Sequence, residues 1–343
     1  AQAAGLSATR LAQMGTAQIA AFETEDLAAI TSTAMAAMTT AQAASLTTDQ
    51  IAALTTAQLA SLSSRSLAAL TTDQIVALST EQAASLSAIR LALLTTTQVA
   101  ALETADLATV TSTAIGGLTT IQAAALTTDQ AVALTTEQAA ALKSSQLAAL
   151  STDAIAAFET EDLAVISSTA IVSLKTNQAA SLTTDQVASL TTTQLAKMSS
   201  ASLAALTTDQ IVALTTDQAA SLSATRLALM TTTQVAAFET ADLAVVTTAA
   251  LAGLTTAQAS SLTTDQVVSL ASEQLAALSK SAMASLTTDQ IVALSTSQAE
   301  NLTAARLALF TTAQIAAFET ADLAALTTAA VAGLTTAQAA ALT

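Results

Sequence analysis

The sequence predicts an all-α repeat solenoid of very short helices, one per eight-residue repeat, coiled into a superhelix. Three observations carry this. An apolar residue returns every eight positions without interruption, a helix start is written into most units, and Ala dominates while Gly is scarce and Pro absent. Counting in eights from Leu6 through Met14, Phe22, Ile30 and Met38 to Leu334 and Leu342 gives 43 positions, each Leu, Met, Phe, Ile or Val. Self-similarity at a fixed period marks a repeat architecture, so residues 1–343 read as one continuous octapeptide array rather than as several globular domains. Residue 1 falls on the fourth place of an octad and residue 343 on the second, which suggests a segment of a longer array.

The octad Leu46-Thr47-Thr48-Asp49-Gln50-Ile51-Ala52-Ala53 serves as the reference, with Leu46 as place 1. Place 2 is Ser or Thr in 34 of 43 units and place 5 is Gln in 24 of 42, which is the pattern of a capping box. Thr47 is then the N-cap and Gln50 is N3. Leu46 at N′ and Ile51 at N4 form a hydrophobic staple. Acidic residues at place 4 (Asp49, Asp73, Glu81, Asp129, Glu137, Asp185, Asp209) suit the positive end of the helix dipole. Ala at places 7 and 8 has high helix propensity. The next cap arrives eight residues later, so each helix has room for about six or seven residues, under two turns. Such a helix is unstable alone and folds only against its neighbours. Apolar residues at places 1, 6 and usually 7 predict a dry side there and a wet side at places 2 to 5.

Competing folds fit less well. One continuous helix needs an apolar period near 3.6, and two steps in eight residues would wind the stripe around the cylinder. A β-solenoid favours Gly and Asn turns with β-branched alternation, whereas this chain has six Gly and is rich in Ala. An apolar content of 52% argues against disorder.

A longer period lies over the first. Glu-Thr-x-Asp-Leu begins at Glu23, Glu103, Glu159, Glu239 and Glu319, and Arg stands at place 5 at Arg10, Arg90, Arg226 and Arg306. Both sets define a super-repeat of ten octads, one copy of which lacks three octads, including its Arg unit. Three to three and a half octads per superhelical turn would make ten octads about three turns, and the loss of three octads nearly one turn. Each Arg precedes an Asp by 16 residues: Arg10 and Asp26, Arg90 and Asp106, Arg226 and Asp242, Arg306 and Asp322. These read as solvated surface charges or, more sharply, as salt bridges across the superhelix or to a neighbouring molecule.

The chain carries net charge −16 and has no His or Cys. The acidity disfavours nucleic acid and anionic membrane surfaces, and the missing residue types remove disulfides, the usual nucleophile–base pairs and most zinc sites. No run of about 18 apolar residues is present, so no membrane insertion is expected. The acidic clusters Glu23-Thr24-Glu25-Asp26 and Glu159-Thr160-Glu161-Asp162 have the hard oxygens that suit Ca²⁺, but read first as acidic helix starts. Phe22, Phe158, Phe238 and Phe318 head Glu-Thr-x-Asp units and suggest a locally wider core. Glu300 and Asn301 stand where small residues are usual and suggest a local surface contact or drift. No catalytic, cofactor-binding or metal-binding residue is assigned, no cofactor is expected, and the chain reads as a non-enzyme.

The word Leu-Thr-Thr-x-Gln-apolar-Ala-Ala resembles Ala/Thr-rich octapeptide repeat tracts of very large bacterial exported, RTX-type or adhesin-like surface proteins. The resemblance spans the whole chain and implies an extracellular or cell-surface location. It also implies an elongated rod, stalk or filament-forming role, with self-association or other surface proteins as partners. The alternatives are a protein-binding scaffold that presents a repeated charged patch and, against the use of Thr as caps, an ice-binding Thr face.

Overall fold

The structure, a computed structural model, describes residues 3–342. Among these residues there are 42 α-helices of four to six residues, a 3-10 turn at Ala3–Gly5 and no strand. They fall into two compact units, one ending at Leu174 and the other beginning at Lys175. Both are all-α repeat solenoids.

In the first unit the reference octad forms the helix Thr48–Ala53, with Thr47 extended at φ −75°, ψ 163°. The Thr47 hydroxyl accepts from the Gln50 N–H at 3.1 Å, and the Gln50 Oε1 accepts from the Thr47 N–H at 2.9 Å. The helix ends at Leu54, which is extended at φ −62°, ψ 138°. The next N-cap, Thr55, is extended too. Two successive extended residues re-aim the chain, and no described residue has positive φ. That is why the array turns at every octad without needing glycine. Many helices reach the expected six residues and the rest fall short at four or five, because place 1 leaves helical geometry and place 8 is often only a helical cap.

Winding brings helices three octads apart into contact. Thr80–Ala84 packs on Thr104–Thr109 in the first unit. In the second, Thr216–Ala220 packs on Thr240–Val245 and Thr256–Ser261 on Lys280–Ala284. The Gln50 amide in turn meets carbonyls 28 to 31 residues earlier. A turn therefore holds about three and a half octads, at the upper end of the expected range.

The core is built from places 1 and 6. Leu46 and Ile51 are buried, as are Leu206 and Ile211 at the same places in the second unit. The expected wet and dry sides need one correction each. Place 5 is buried, with Gln50 2% exposed, while place 7 faces outward, with Val76 44% exposed. A helix this short turns N3 toward the preceding turn, and the polar end of Gln finds partners there. Phe158, Phe238 and Phe318 are buried at place 1, and Phe318 stacks tilted on Phe310 with ring centroids 5.9 Å apart.

Close approach between turns fixes some glycines. A Cβ on Gly117 would lie 2.6 Å from the Ala88 Cβ, and one on Gly253 2.6 Å from the Ala224 Cβ. Each pair spans 29 residues, and each Ala opens the helix of an Arg octad.

Candidate functional site

The buried place 5 is where the chain concentrates its polar chemistry. One carboxamide serves three purposes there: Oε1 closes the capping box, and Nε2 donates to two main-chain carbonyls of the preceding turn. Gln82 donates to the Ile51 carbonyl at 2.8 Å and to the Leu54 carbonyl at 2.6 Å. Gln130 donates to Val99 and Leu102, both at 2.8 Å. In the second unit Gln234 donates to Leu203 and Leu206 at 2.9 and 2.8 Å, and Gln298 to Val267 and Leu270, both at 2.7 Å. The accepting carbonyls belong to places 6 and 1, at the C-terminal end of a helix; the place-6 carbonyl already accepts from the place-1 N–H, and the place-1 carbonyl has no backbone donor. Burying the Gln is therefore free of unsatisfied groups.

Place 8 adds a second connection. The Ser45 and Thr109 hydroxyls, which bond the Gln42 and Asp106 carbonyls of their own helices at 2.8 and 2.7 Å, share that proton with the Thr16 and Thr80 carbonyls, 29 residues back, at 3.4 and 3.1 Å. In the second unit Ser285 does the same with Thr256 at 2.9 Å. Asn301, singled out by the sequence, lies at this place and donates to the Ser297 carbonyl at 2.9 Å and to Ser272 Oγ at 3.4 Å. Glu300 is exposed beside it.

The arginines take the Gln position. Arg90 donates to the Leu62 carbonyl at 2.6 Å and the Leu59 carbonyl at 2.8 Å. Arg226 donates to Met198 and Leu195 at 2.8 and 3.0 Å. Arg306 donates to Leu278 at 2.7 Å and to Ala276. These guanidiniums thus bond the preceding turn, and the Oδ2 atoms of Asp106, Asp242 and Asp322 have no hydrogen-bonding partner. A positive group at a helix C-terminus meets the negative end of the dipole. Burial nonetheless lowers the pKa of Arg90 and Arg226, and their Nε atoms are buried without a partner.

The Glu-Thr-x-Asp octads place a carboxylate in the same slot. Asp106, Asp162, Asp242 and Asp322 are 2–5% exposed. Burial raises the pKa of Asp106, Asp162 and Asp242, and the carboxylates of Glu103, Glu159 and Glu239 at the N-caps raise it further. The Thr136 hydroxyl opposes the rise at Asp162. Glu161, fully exposed, is held below its ordinary value by a backbone hydrogen bond and by the Thr160 hydroxyl, which donates to it at 2.9 Å. The acidic Glu23–Asp26 stretch lies in the first described turn, beside a depression lined by Ala3, Leu6, Met14, Phe22 and Asp26. Among the described residues no three or more Asp, Glu, His or Cys side chains gather in a metal-binding group, and no helix is long and apolar enough to cross a membrane.

Sequence reasoning assigned no site residues and missed the donor role of place 5. The signal was present. Arg cannot accept a hydrogen bond, so its appearance at a capping-box position shows that the slot calls for a donor.

Fold and repeated slot together define an all-α repeat protein whose turns are joined by place-5 side chains. The chain belongs to the ALTTAQ repeat family, which it matches at residues 19–56, 52–88, 99–136, 155–192, 192–224, 235–272 and 315–343, more than half its length. Read in the present octad, the family's word is places 8 and 1 to 5, ending on the bonding Gln. Arg90, Arg226 and Arg306 lie between matched segments, and Arg10 precedes the first of them. No curated protein and no solved structure matched.

Proposed function

We propose that the chain is a non-catalytic structural element, an elongated rod or stalk within a large bacterial protein of the exported or cell-surface kind. The observation that carries this reading is the recurrence, within each unit, of one bonding scheme between successive turns, from Gln42 to Gln146 and from Gln210 to Gln338. A scheme that recurs in most octads and asks only for a place-1 carbonyl in the preceding turn can be lengthened or shortened by whole octads, which is what a spacer requires. Where the slot holds Gln, its polar groups are occupied in holding the turns together, and the outward residues are mostly small, hydroxylic or acidic, with scattered exposed Val and Ile such as Val76 and Ile121. The net charge of −16 opposes lateral collapse onto other acidic surfaces. Extracellular or cell-surface placement, and self-association with further copies or other surface proteins, follow from the same reading.

Small-angle scattering on the purified chain tests it. A compact globule of this length has a radius of gyration of about 20 Å. A spacer gives a much larger value and a rod-like cross-section, and a value near that of the globule overturns the proposal. A scaffold reading finds support in Glu103, Glu239 and Glu319, exposed carboxylates that recur with the super-repeat. Specific capture of one partner by a purified array, lost on Glu→Gln substitution at these three positions, would favour it.

A further inference from the structure

In the slots that hold Asp, the geometry points to a bound hard cation of the Ca²⁺ class, bridging the buried carboxylate to a main-chain carbonyl of the preceding turn. The sites are Asp106 with Leu78, Asp242 with Leu214 and Asp322 with Leu294. In every place-5 slot where Gln or Arg bonds the preceding turn, the carbonyl 28 residues earlier receives an N–H, and Ser66 gives it an O–H at 2.7 Å. Ionised Asp has no proton to give. Accordingly, no donor among the described residues reaches the carbonyls of Leu78, Leu214 and Leu294. The Oδ2 atoms of Asp106, Asp242 and Asp322, which occupy the same slots, are buried and equally unpartnered. Each of these slots thus brings a carboxylate oxygen and a main-chain carbonyl to places where no protein group donates to either.

The spacing suits an ion. Asp is one methylene shorter than Gln, so a Gln-to-carbonyl bond becomes an oxygen-to-oxygen gap of about 4 Å. That is too long for a direct hydrogen bond from a protonated carboxyl, and it fits a cation holding both oxygens at about 2.4 Å in a bent arrangement. Further oxygens are at hand. The side chain at place 3 of the accepting octad is Thr80, Thr216 or Thr296. The corresponding Thr136 hydroxyl is near enough to Asp162 to oppose the rise of its pKa. The charge pattern agrees. Glu occupies place 2 in all five Asp octads and in no other octad of the chain. A second carboxylate three residues from a buried one is costly unless a cation neutralises both.

The test compares the full chain with D106Q/D242Q/D322Q, because Gln installs the ordinary bond and preserves the fold. Both are stripped of metal, then titrated with CaCl₂ at constant ionic strength, by calorimetry and by thermal unfolding. The expected result is saturable Ca²⁺ binding and a Tm raised by several degrees in the natural chain. Loss of both responses is expected in the Gln variant, whose metal-free Tm equals or exceeds that of the natural chain. Weaker binding is expected in E103Q/E239Q/E319Q, which keeps the buried carboxylates. Equal Tm shifts in the natural and Gln chains, or a crystal structure grown with Ca²⁺ that shows only water in the slots, would overturn the proposal.

Discussion

Gln82 Nε2 lies 2.6 Å from the carbonyl oxygen of Leu54, 28 residues earlier, while Gln82 Oε1 accepts from the N–H of Ser79 at 2.8 Å. One planar group thus ties the start of its own helix to the end of a helix in the turn before. The two functions separate by mutation. Gln82→Leu removes both and leaves the Leu54 carbonyl and the Ser79 N–H without a partner, while the Ile51 carbonyl keeps the Leu54 N–H, for an expected loss of about 2–4 kcal/mol. Gln82→Glu keeps the acceptor but sets a carboxylate against two carbonyls. It should cost more than Leu at pH 7 and less at pH 4, where the protonated acid can donate. Urea unfolding of the three chains at both pH values checks the crossover.

Arg226 occupies the same slot with its Nε buried and unpartnered. Replacement by Gln restores a group that satisfies itself completely, so Arg226→Gln should change stability by less than about 1 kcal/mol. Arg226→Leu removes the bonds to Leu195 and Met198 and should cost about 1.5–3 kcal/mol. A salt bridge to Asp242 as the main role of Arg226 would require Gln to be as harmful as Leu. Chemical denaturation of the two variants distinguishes these outcomes.

The local half of this fold is legible in the sequence. Thr47, Gln50, Leu46 and Ile51 announce a helix start because capping is a matter of neighbours three or four residues apart. The contact of Gln50 with Ile19 and Phe22 is of another kind. Its length depends on the angle between successive helices, which no local signal encodes. The capping box is by itself a sufficient local reason for Gln50, and it leaves no sign in the sequence of the second pair of bonds. Place 7 misled for a similar reason: Ala and Val look like core, yet Val76 faces outward because place 5 has taken the inward direction.

Gly253 tests how closely the turns approach. A methyl there would meet the Ala224 Cβ at 2.6 Å and the Ala224 carbonyl oxygen at 2.6 Å. Gly253→Ala should therefore force the two turns apart and cost about 1–3 kcal/mol. At Gly5, where nothing lies within 4 Å, the same change should be neutral or slightly stabilising. Thermal unfolding of the two variants side by side provides the measurement.

Asp106, Asp162 and Asp242 give the metal-free chain a pH dependence of defined sign. Their native pKa lies above the ordinary value of 3.8, chiefly through burial. Between the two values the native state holds more protons than the unfolded state, so stability falls as pH rises through that interval. Lowering pH from 7 toward the native values should raise Tm. Relief of the net negative charge acts in the same direction, so the control is D106N/D162N/D242N. Its Tm should vary less with pH than that of the natural chain, and an identical slope would count against the burial effect.

Whole-octad deletion probes the architecture itself. In the first unit the bonds from Gln122, Gln130, Gln138 and Gln146 run on without a break through the super-repeat copy that lacks three octads. They can do so because each slot needs only a place-1 carbonyl 28 residues back, not a particular partner. Removing residues 126–133 brings the carbonyl of Leu102 opposite Gln138 in place of that of Val110, and every later slot keeps a partner of the same kind. Removing 126–129 instead sets place 5 against place 5, so the following Gln side chains meet no helix C-terminus. The eight-residue deletion should retain the helical circular dichroism per residue and lower Tm by no more than a few degrees. The four-residue deletion should split the thermal transition or lose helix signal on one side of the cut. Equal tolerance of the two deletions would mean that the turns are held by apolar packing alone.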